Sequence, residues 1–295
     1  MRLRIILACL PVLLLGAATA AGPAAAGGSK LDVVASTNVY GDMVQQIGGS
    51  HVSVTSILSN PNADPHLYEP GTQNGLAVAK ARLVIQNGVG YDAFMQRLED
   101  ASPSSKRIVV TVADVLGVHG KDANPHLWYD VPKLDSIAGA IASGLERSDP
   151  AHAAAYRTGL ARFRTSLFPL KREVADINSA FAGKPVAYTE PVPGYLLAAA
   201  GLRNLAPDTF TRAIENGTEP TPQAVSAMNA LMTGHRVKVL LYNSQAVSPI
   251  TAQVRSAARK AGIPVIGVTE TLPPHLTFQQ WQLGQAQQLY AALKR

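Results

Sequence analysis

Apolar residues along the chain fall into short runs rich in valine and isoleucine, and these runs alternate with stretches of helical periodicity. Glycine, proline or asparagine bounds most of the runs, as is typical of strands. The predicted strands span 31–36, 52–58, 83–86, 107–112, 185–189, 237–242 and 264–268. The predicted helices span 38–47, 71–79, 91–98, 132–145, 221–232, 250–261 and 278–293. This alternation predicts parallel sheets covered by helices on both faces.

The segment 149–182 interrupts the alternation because it contains no strand signal. Apolar residues recur there at steps of three and four, from Tyr156 to Val174, which predicts an amphipathic helix. Pro169 should kink this helix and Gly183 should end it. Its length of roughly 50 Å would suit a connection between two lobes. We therefore predict an α/β fold of two Rossmann-like lobes of parallel sheet joined by one long helix. The predicted boundaries are 27–147 for the first lobe, 148–182 for the connecting helix and 183–295 for the second lobe.

The first 26 residues have the three parts of a secretory signal peptide. Arg2 and Arg4 precede an apolar run, and Ala18 to Ala20 form a cleavage site of small residues. The apolar run of about eleven residues is shorter than the roughly 20 that span a bilayer. We therefore expect export to the periplasm; an extracellular or membrane-anchored protein is the alternative. Cys9, the single cysteine, lies in this segment, so the mature chain can form no disulfide.

Composition excludes two other classes of protein. With 47% hydrophobic and 16% charged residues among 295, the chain is too apolar to be disordered. The net charge of +6 comes without a basic run or a basic–aromatic stripe, so we expect no nucleic-acid partner. A dinucleotide fingerprint, a P-loop, a nucleophile elbow and a His-Glu-x-x-His sequence are all absent from the sequence.

Two similar loops carry histidines. Residues 63–68 read ADPHLY and residues 123–128 read ANPHLW. A proline fixes the backbone before His66 and before His126. Glu69 and Asp130 follow closely and could accept the second ring N–H, as carboxylates do beside metal-binding histidines. We interpret the loops as parts of one site; two unrelated loop histidines are the alternative.

Two glutamates follow predicted strands of the second lobe. Glu190 comes after VAYT and Glu270 after VIGVT. Open α/β sheets bind ligands outside the carboxyl ends of their strands, so both glutamates are placed to face the histidine loops. A divalent metal needs three or four protein ligands. Acids that merely end strands or begin helices are the alternative.

Together these motifs resemble, in order and over nearly the whole mature chain, those of one family. The motifs are DPHLYEP at 64–70, NPHLWYD at 124–130, YTEP at 188–191 and VTETL at 268–272. The family is the zinc- and manganese-specific solute-binding proteins of bacterial ABC importers. The resemblance implies one metal in the cleft between the lobes. It also implies His66 and His126 as imidazole ligands and Glu190 and Glu270 as carboxylate ligands.

The resemblance further implies a binding protein, not an enzyme, that delivers its cargo to a membrane permease, and we expect it to act as a monomer. Zinc-handling members usually have a histidine where Glu190 stands and a His-rich loop where this chain has only 118–123. Carboxylates suit Mn²⁺ and imidazoles suit Zn²⁺. The sequence leaves both metals open, with Fe²⁺ as a further candidate. A zinc hydrolase using the same ligands and a metal-binding surface adhesin are the alternative functions.

Other histidines and acids have weaker claims. His119 in the shortened loop and His275 after Glu270 are further candidate ligands, and Glu219 is a candidate for supporting the site. We expect His51, His152 and His235 to stand alone in surface or capping roles.

Overall fold

The computed structural model describes residues 29–61 and 68–295 of the chain. The predicted signal peptide and the segment 62–67, which includes His66, lie outside the described residues.

The first sheet has four parallel strands in the order β2-β1-β3-β4. Its strands are β1 (Leu31–Thr37), β2 (Val52–Leu58), β3 (Leu83–Gln86) and β4 (Ile108–Thr111). The helices that connect and cover them are α1 (Asn38–Gly48), α2 (Thr72–Lys80), α3 (Phe94–Asp100), α4 (Val112–Leu116) and α5 (Leu134–Ser148). Thr37 ends β1 and its side chain accepts the backbone N–H of Tyr40, so α1 begins directly where the strand stops.

The connecting segment is helical, as predicted, and consists of α6 (Ala153–Ser166) and α7 (Phe168–Phe181), with Leu167 between them. Pro169 lies in the first turn of α7, so the interruption falls where a proline kink is expected. Helix α6 packs against α1 and α5 of the first lobe. A Cβ atom added to Gly159 of α6 would overlap the carbonyl oxygen of Ile47, so only glycine permits this close approach.

The second sheet repeats the strand arrangement of the first, in the order β6-β5-β7-β8, and is again parallel. Its strands are β5 (Pro185–Tyr188), β6 (Arg203–Asn204), β7 (Leu240–Asn243) and β8 (Val265–Val268). Its helices are α8 (Gly194–Ala199), α9 (Asp208–Glu215), α10 (Pro222–Thr233), α11 (Pro249–Lys260) and α12 (Phe278–Leu293). The prediction of two parallel α/β lobes is confirmed.

The two lobes share one buried apolar cluster, which includes residues of β1, α5, α7, β8 and α12. Hydrogen bonds also join them. The Asn38 side chain donates to the Leu272 carbonyl at 2.8 Å and accepts the Leu272 backbone N–H at 2.9 Å. The backbone N–H of Phe278 donates to Asp42 at 2.9 Å. The lobes are therefore packed together, and their strand ends keep a defined spacing. Within the described part of the chain, no helix has the length and apolar character to cross a membrane.

Candidate metal centre

Two buried glutamates lie at one edge of the second sheet. Glu190 follows β5 and Glu270 follows β8, with β7 between these two strands. Their exposed fractions are 1% and 0%. The carboxyl ends of parallel strands meet at the same edge of a sheet, which brings together two side chains that are distant in sequence.

Asn243, the last residue of β7, bridges the two glutamates. Its side-chain Nδ2 donates to Oε2 of Glu190 and, at 2.7 Å, to Oε1 of Glu270. Its backbone N–H donates to Oγ1 of Thr189 at 3.1 Å. Hydrogen bonds offset part of the cost of burying two carboxylates. One amide group therefore holds both carboxylates in a fixed relation to each other.

His126 approaches these carboxylates from the first lobe. Its ring is fully buried, and Nε2 lies 3.2 Å from Oε2 of Glu270. Nδ1 lies 2.8 Å from Oδ1 of Asn124, an atom that only accepts, so we assign the ring hydrogen to Nδ1. In the neutral ring the lone pair is then on Nε2 and faces Glu270. An imidazole lone pair and a carboxylate oxygen so arranged are suited to share a cation.

The side chain that orients His126 is Asn124, and not Asp130 as the sequence suggested. Nδ2 of Asn124 donates to the Pro191 carbonyl at 2.7 Å, and the Tyr195 hydroxyl donates to the Asn124 carbonyl at 2.9 Å. A Cβ atom on Gly194 would lie 2.8 Å from Nδ2 of Asn124. The histidine loop is thereby joined to the segment that follows Glu190.

A second asparagine supports the same loop from the first sheet. Asn87 directly follows β3, and its Nδ2 donates to the Pro125 carbonyl at 2.8 Å. Its Oδ1 accepts the Tyr40 hydroxyl at 2.5 Å. Asp92 accepts the Asn87 backbone N–H at 2.5 Å and the Gly88 backbone N–H at 2.9 Å. These contacts fix the position of the backbone next to His126.

His66 lies outside the described residues, so its role stays a prediction. Pro61, at the edge of that segment, accepts a hydrogen bond from Nε2 of Gln245 at 3.0 Å. Oε1 of the same Gln245 accepts the Glu270 backbone N–H at 2.5 Å. The described chain therefore reaches the start of this segment close to Glu270. Within residues 29–61 and 68–295, no three or more His, Cys, Asp or Glu side chains are grouped so as to hold a metal ion.

The remaining candidate residues are not buried together with His126, Glu190 and Glu270. His119, Glu219, His235 and His275 are exposed. His51 and His152, which the sequence predicted to stand alone, instead stack on each other with ring centroids 4.0 Å apart. The sequence motifs indicated none of Asn87, Asn124 and Asn243 as a positioning residue. The sequence feature that could have identified them is an asparagine at the end of a strand, for Asn87 and Asn243, or two residues before the histidine, for Asn124.

A cavity of about 370 Å³ opens beside the His126 loop. Among its lining residues are Tyr91, Tyr188, Arg212 and Glu215. Burial, and after it the Glu270 carboxylate, raises the pKa of Tyr91 well above its usual value, so this hydroxyl stays protonated at the wall of the cavity. Oε2 of Glu215 lies 4.0 Å from Nε2 of His126. The cavity therefore borders the loop that carries His126, with Glu215 in its wall.

Two α/β lobes with polar ligand groups buried between them define the class of two-lobed solute-binding proteins. The family model described as "ZnuA: Zinc-uptake complex component A periplasmic" matches residues 33–292, and the chain belongs to this family. Its members are solute-binding proteins of ABC importers, so the chain is an exported binding protein and not an enzyme. The hydrolase alternative is thereby set aside.

Named relatives agree with this assignment. The chain is 26% identical over 249 residues to the manganese ABC transporter substrate-binding lipoprotein PsaA of Streptococcus mitis, covering 80% of this chain and 79% of that protein. It is 26% identical over 271 residues to the manganese-binding lipoprotein MntA of Bacillus subtilis strain 168, covering 85% and 84%.

Solved structures show the same fold. The periplasmic zinc-binding protein TroA from Treponema pallidum superposes with a TM-score of 0.78 at 18% identity, covering 90% of this chain and 100% of that one. The laminin-binding protein Lmb of Streptococcus agalactiae, described as bifunctional with adhesin and metal-transporting activity, superposes with a TM-score of 0.75 at 22% identity, covering 89% and 99%.

Proposed function

We propose that this chain binds one divalent transition-metal ion, Mn²⁺ or Zn²⁺, between its lobes and delivers it to the membrane permease of an ABC importer. The lobe at 27–147 supplies His66 and His126, and the lobe at 183–295 supplies Glu190 and Glu270. The protein acts as a monomer after removal of residues 1–26. The names of the relatives, which include manganese-binding and zinc-binding proteins, support this range of cargo.

The observation that carries the proposal is the contact of His126 with Glu270. Ligand atoms that share one ion at bonds of 2.0–2.2 Å are about 2.8–3.6 Å apart, depending on whether the site is octahedral or tetrahedral. Nε2 of His126 and Oε2 of Glu270, at 3.2 Å, already have this separation. The groups come from different lobes and both are fully buried. A cation between them would replace the hydration that both groups have lost.

The hydrogen-bond network fixes the donors before the ion arrives. Asn124 holds the ring hydrogen of His126 away from the cleft, and Asn243 holds both glutamates. Such preorganisation typically contributes 10–100-fold in metal affinity. Because binding requires deprotonated imidazole and carboxylate groups, affinity should decrease on acidification.

Titration calorimetry and native mass spectrometry of the metal-free protein test the proposal. The parent should bind one Mn²⁺ or Zn²⁺ per chain. His126→Ala and Glu270→Gln should each lose most of that affinity. His235→Ala, which changes an exposed histidine, is the matched control and should bind like the parent. Parent-like binding by both site variants would contradict the proposed site.

A further inference from the structure

The wall of the cavity contains a glutamate that the four-ligand set does not use. Glu215 is the last residue of α9, and its Oε2 lies 4.0 Å from Nε2 of His126. Only 14% of its side chain is exposed. Oε2 itself is buried and accepts no hydrogen bond from the described residues. A carboxylate oxygen buried without a donor is unfavourable, so this position favours the presence of a cation.

An arginine near Glu215 is engaged elsewhere. Arg212 lies three residues earlier on α9, where the two side chains could pair along the helix. Instead, Nη1 of Arg212 contacts Oδ1 of Asp122 in the first lobe at 2.8 Å. This pair is about half exposed and adds little stability. Its effect is to hold the guanidinium group toward Asp122 in the wall of the cavity and to leave Glu215 facing His126.

We propose that Glu215 is an additional oxygen ligand that this site uses for Mn²⁺ and not for Zn²⁺. The inference rests on the proposed function. Zn²⁺ prefers four ligands in a tetrahedron, which the four predicted residues would supply. Mn²⁺ suits oxygen-rich sites of higher coordination number. A rotation of the Glu215 side chain that shortens the 4.0 Å separation toward about 3 Å would complete such a site.

Glu215→Gln tests this role because it keeps the size of the side chain and removes its charge. The metal-free parent and variant are titrated with Mn²⁺ alone and with Zn²⁺ in competition with a chelator. The variant should bind Mn²⁺ about tenfold or more weakly and should bind Zn²⁺ almost as the parent does. The electron paramagnetic resonance spectrum of bound Mn²⁺ should also change. The control Glu219→Gln, an exposed glutamate on the same lobe, should change neither metal.

Two results would overturn the inference. Parent-like binding of both metals means that Glu215 is no ligand. Equal weakening of both metals means that only its charge or its packing matters, because the two ions carry the same charge. Glu190→Gln, measured alongside, separates this question from the proposed function. If Glu190→Gln loses metal affinity and Glu215→Gln does not, the proposed function stands and the inference about Glu215 fails. If the parent binds neither metal, the proposed function itself fails.

Discussion

The two lobes have the same strand order, yet they use the corresponding strand end for different purposes. In each sheet the third strand along the chain ends at an asparagine, Asn87 after β3 and Asn243 at the end of β7. Asn243 holds two carboxylates directly. Asn87 holds the backbone of a loop, at the Pro125 carbonyl, and that loop presents His126.

This difference separates candidate metal ligands that a sheet holds rigidly from a candidate ligand whose position on a loop can adjust. The glutamates of the second lobe lie two residues beyond strands, so the sheet itself fixes their positions. The histidine of the first lobe lies on a long connection between α4 and α5 and depends on Asn87 and Asn124 for its position. We infer that the second lobe sets the geometry of the site and that the first lobe completes the site with its histidine ligands.

Among the residues that position the ligands, Asn243 should have the largest effect on metal binding when it is replaced. Asn243→Ala removes the amide that holds Glu190 and Glu270 and leaves two buried carboxylates to repel each other. We expect a 10–100-fold loss of metal affinity, measured by calorimetry. Gln287→Ala, an exposed side chain of the same lobe, is the control. An unchanged affinity would show that the sheet alone positions the carboxylates.

Replacing Asn87 should affect metal binding less and stability more. Asn87→Ala removes hydrogen bonds to the Pro125 carbonyl and from the Tyr40 hydroxyl, both buried. Leaving such partners unsatisfied costs about 1–3 kcal/mol each. Urea unfolding should show this loss, and the metal affinity should fall less than in Asn243→Ala. A larger affinity loss than in Asn243→Ala would reverse our assignment of the two lobes.

Gly194→Ala should have a smaller effect again. The new Cβ atom would approach Nδ2 of Asn124 to 2.8 Å and push that side chain from the Pro191 carbonyl. We expect a modest decrease in metal affinity through displacement of His126. Gly284→Ala is the control, because nothing lies within 4 Å of its added Cβ. If calorimetry shows no difference between the two, the contact between Asn124 and the second lobe is dispensable.

The smallest effect should come from Asp149→Asn, near the amino end of β2 and far from the strand ends that carry the site. Burial alone would raise the pKa of Asp149, but hydrogen bonds with Tyr156 and His152 outweigh it, and the pKa is lowered. A lowered pKa means that the carboxylate stabilises the fold above the unfolded value of about 3.9 and that this contribution is lost as pH falls through the folded value. At neutral pH the variant should lose about 1 kcal/mol of stability, without change in metal affinity.

Urea unfolding of both proteins across this pH range measures the effect. The difference between parent and Asp149→Asn should shrink in acid. Asp176→Asn, an exposed aspartate on α7, provides the control. A difference that persists unchanged in acid would mean that the ionised carboxylate is not its source.

The sequence predicted the main strands and helices of the fold better than its shortest elements. Strands such as 83–86 and the helix at 278–293 were predicted with their observed bounds, because apolar periodicity reports burial directly. Helices α4, α8 and α9 and the two-residue strand β6 were not predicted, since short elements give too little periodicity. Helix α9 matters most among these because it carries Glu215.

In the candidate site, the sequence likewise indicated the candidate ligands but not the residues that position them. His126, Glu190 and Glu270 could be found because Pro-His loops and strand-end glutamates are visible in sequence. The orienting partner of His126 could not, because Asp130 and Asn124 are both near in sequence and only the backbone path selects Asn124. The bridge through Asn243 depends on strand order, which local sequence does not specify.

Anomalous diffraction from crystals loaded with Zn²⁺ would locate the ion itself. We expect one peak in the cleft, about 2.0–2.2 Å from Nε2 of His126 and from carboxylate oxygens of Glu190 and Glu270, with the His66 ring as the remaining ligand. A peak bound by the histidines alone, or one located outside the cleft between the lobes, would contradict it.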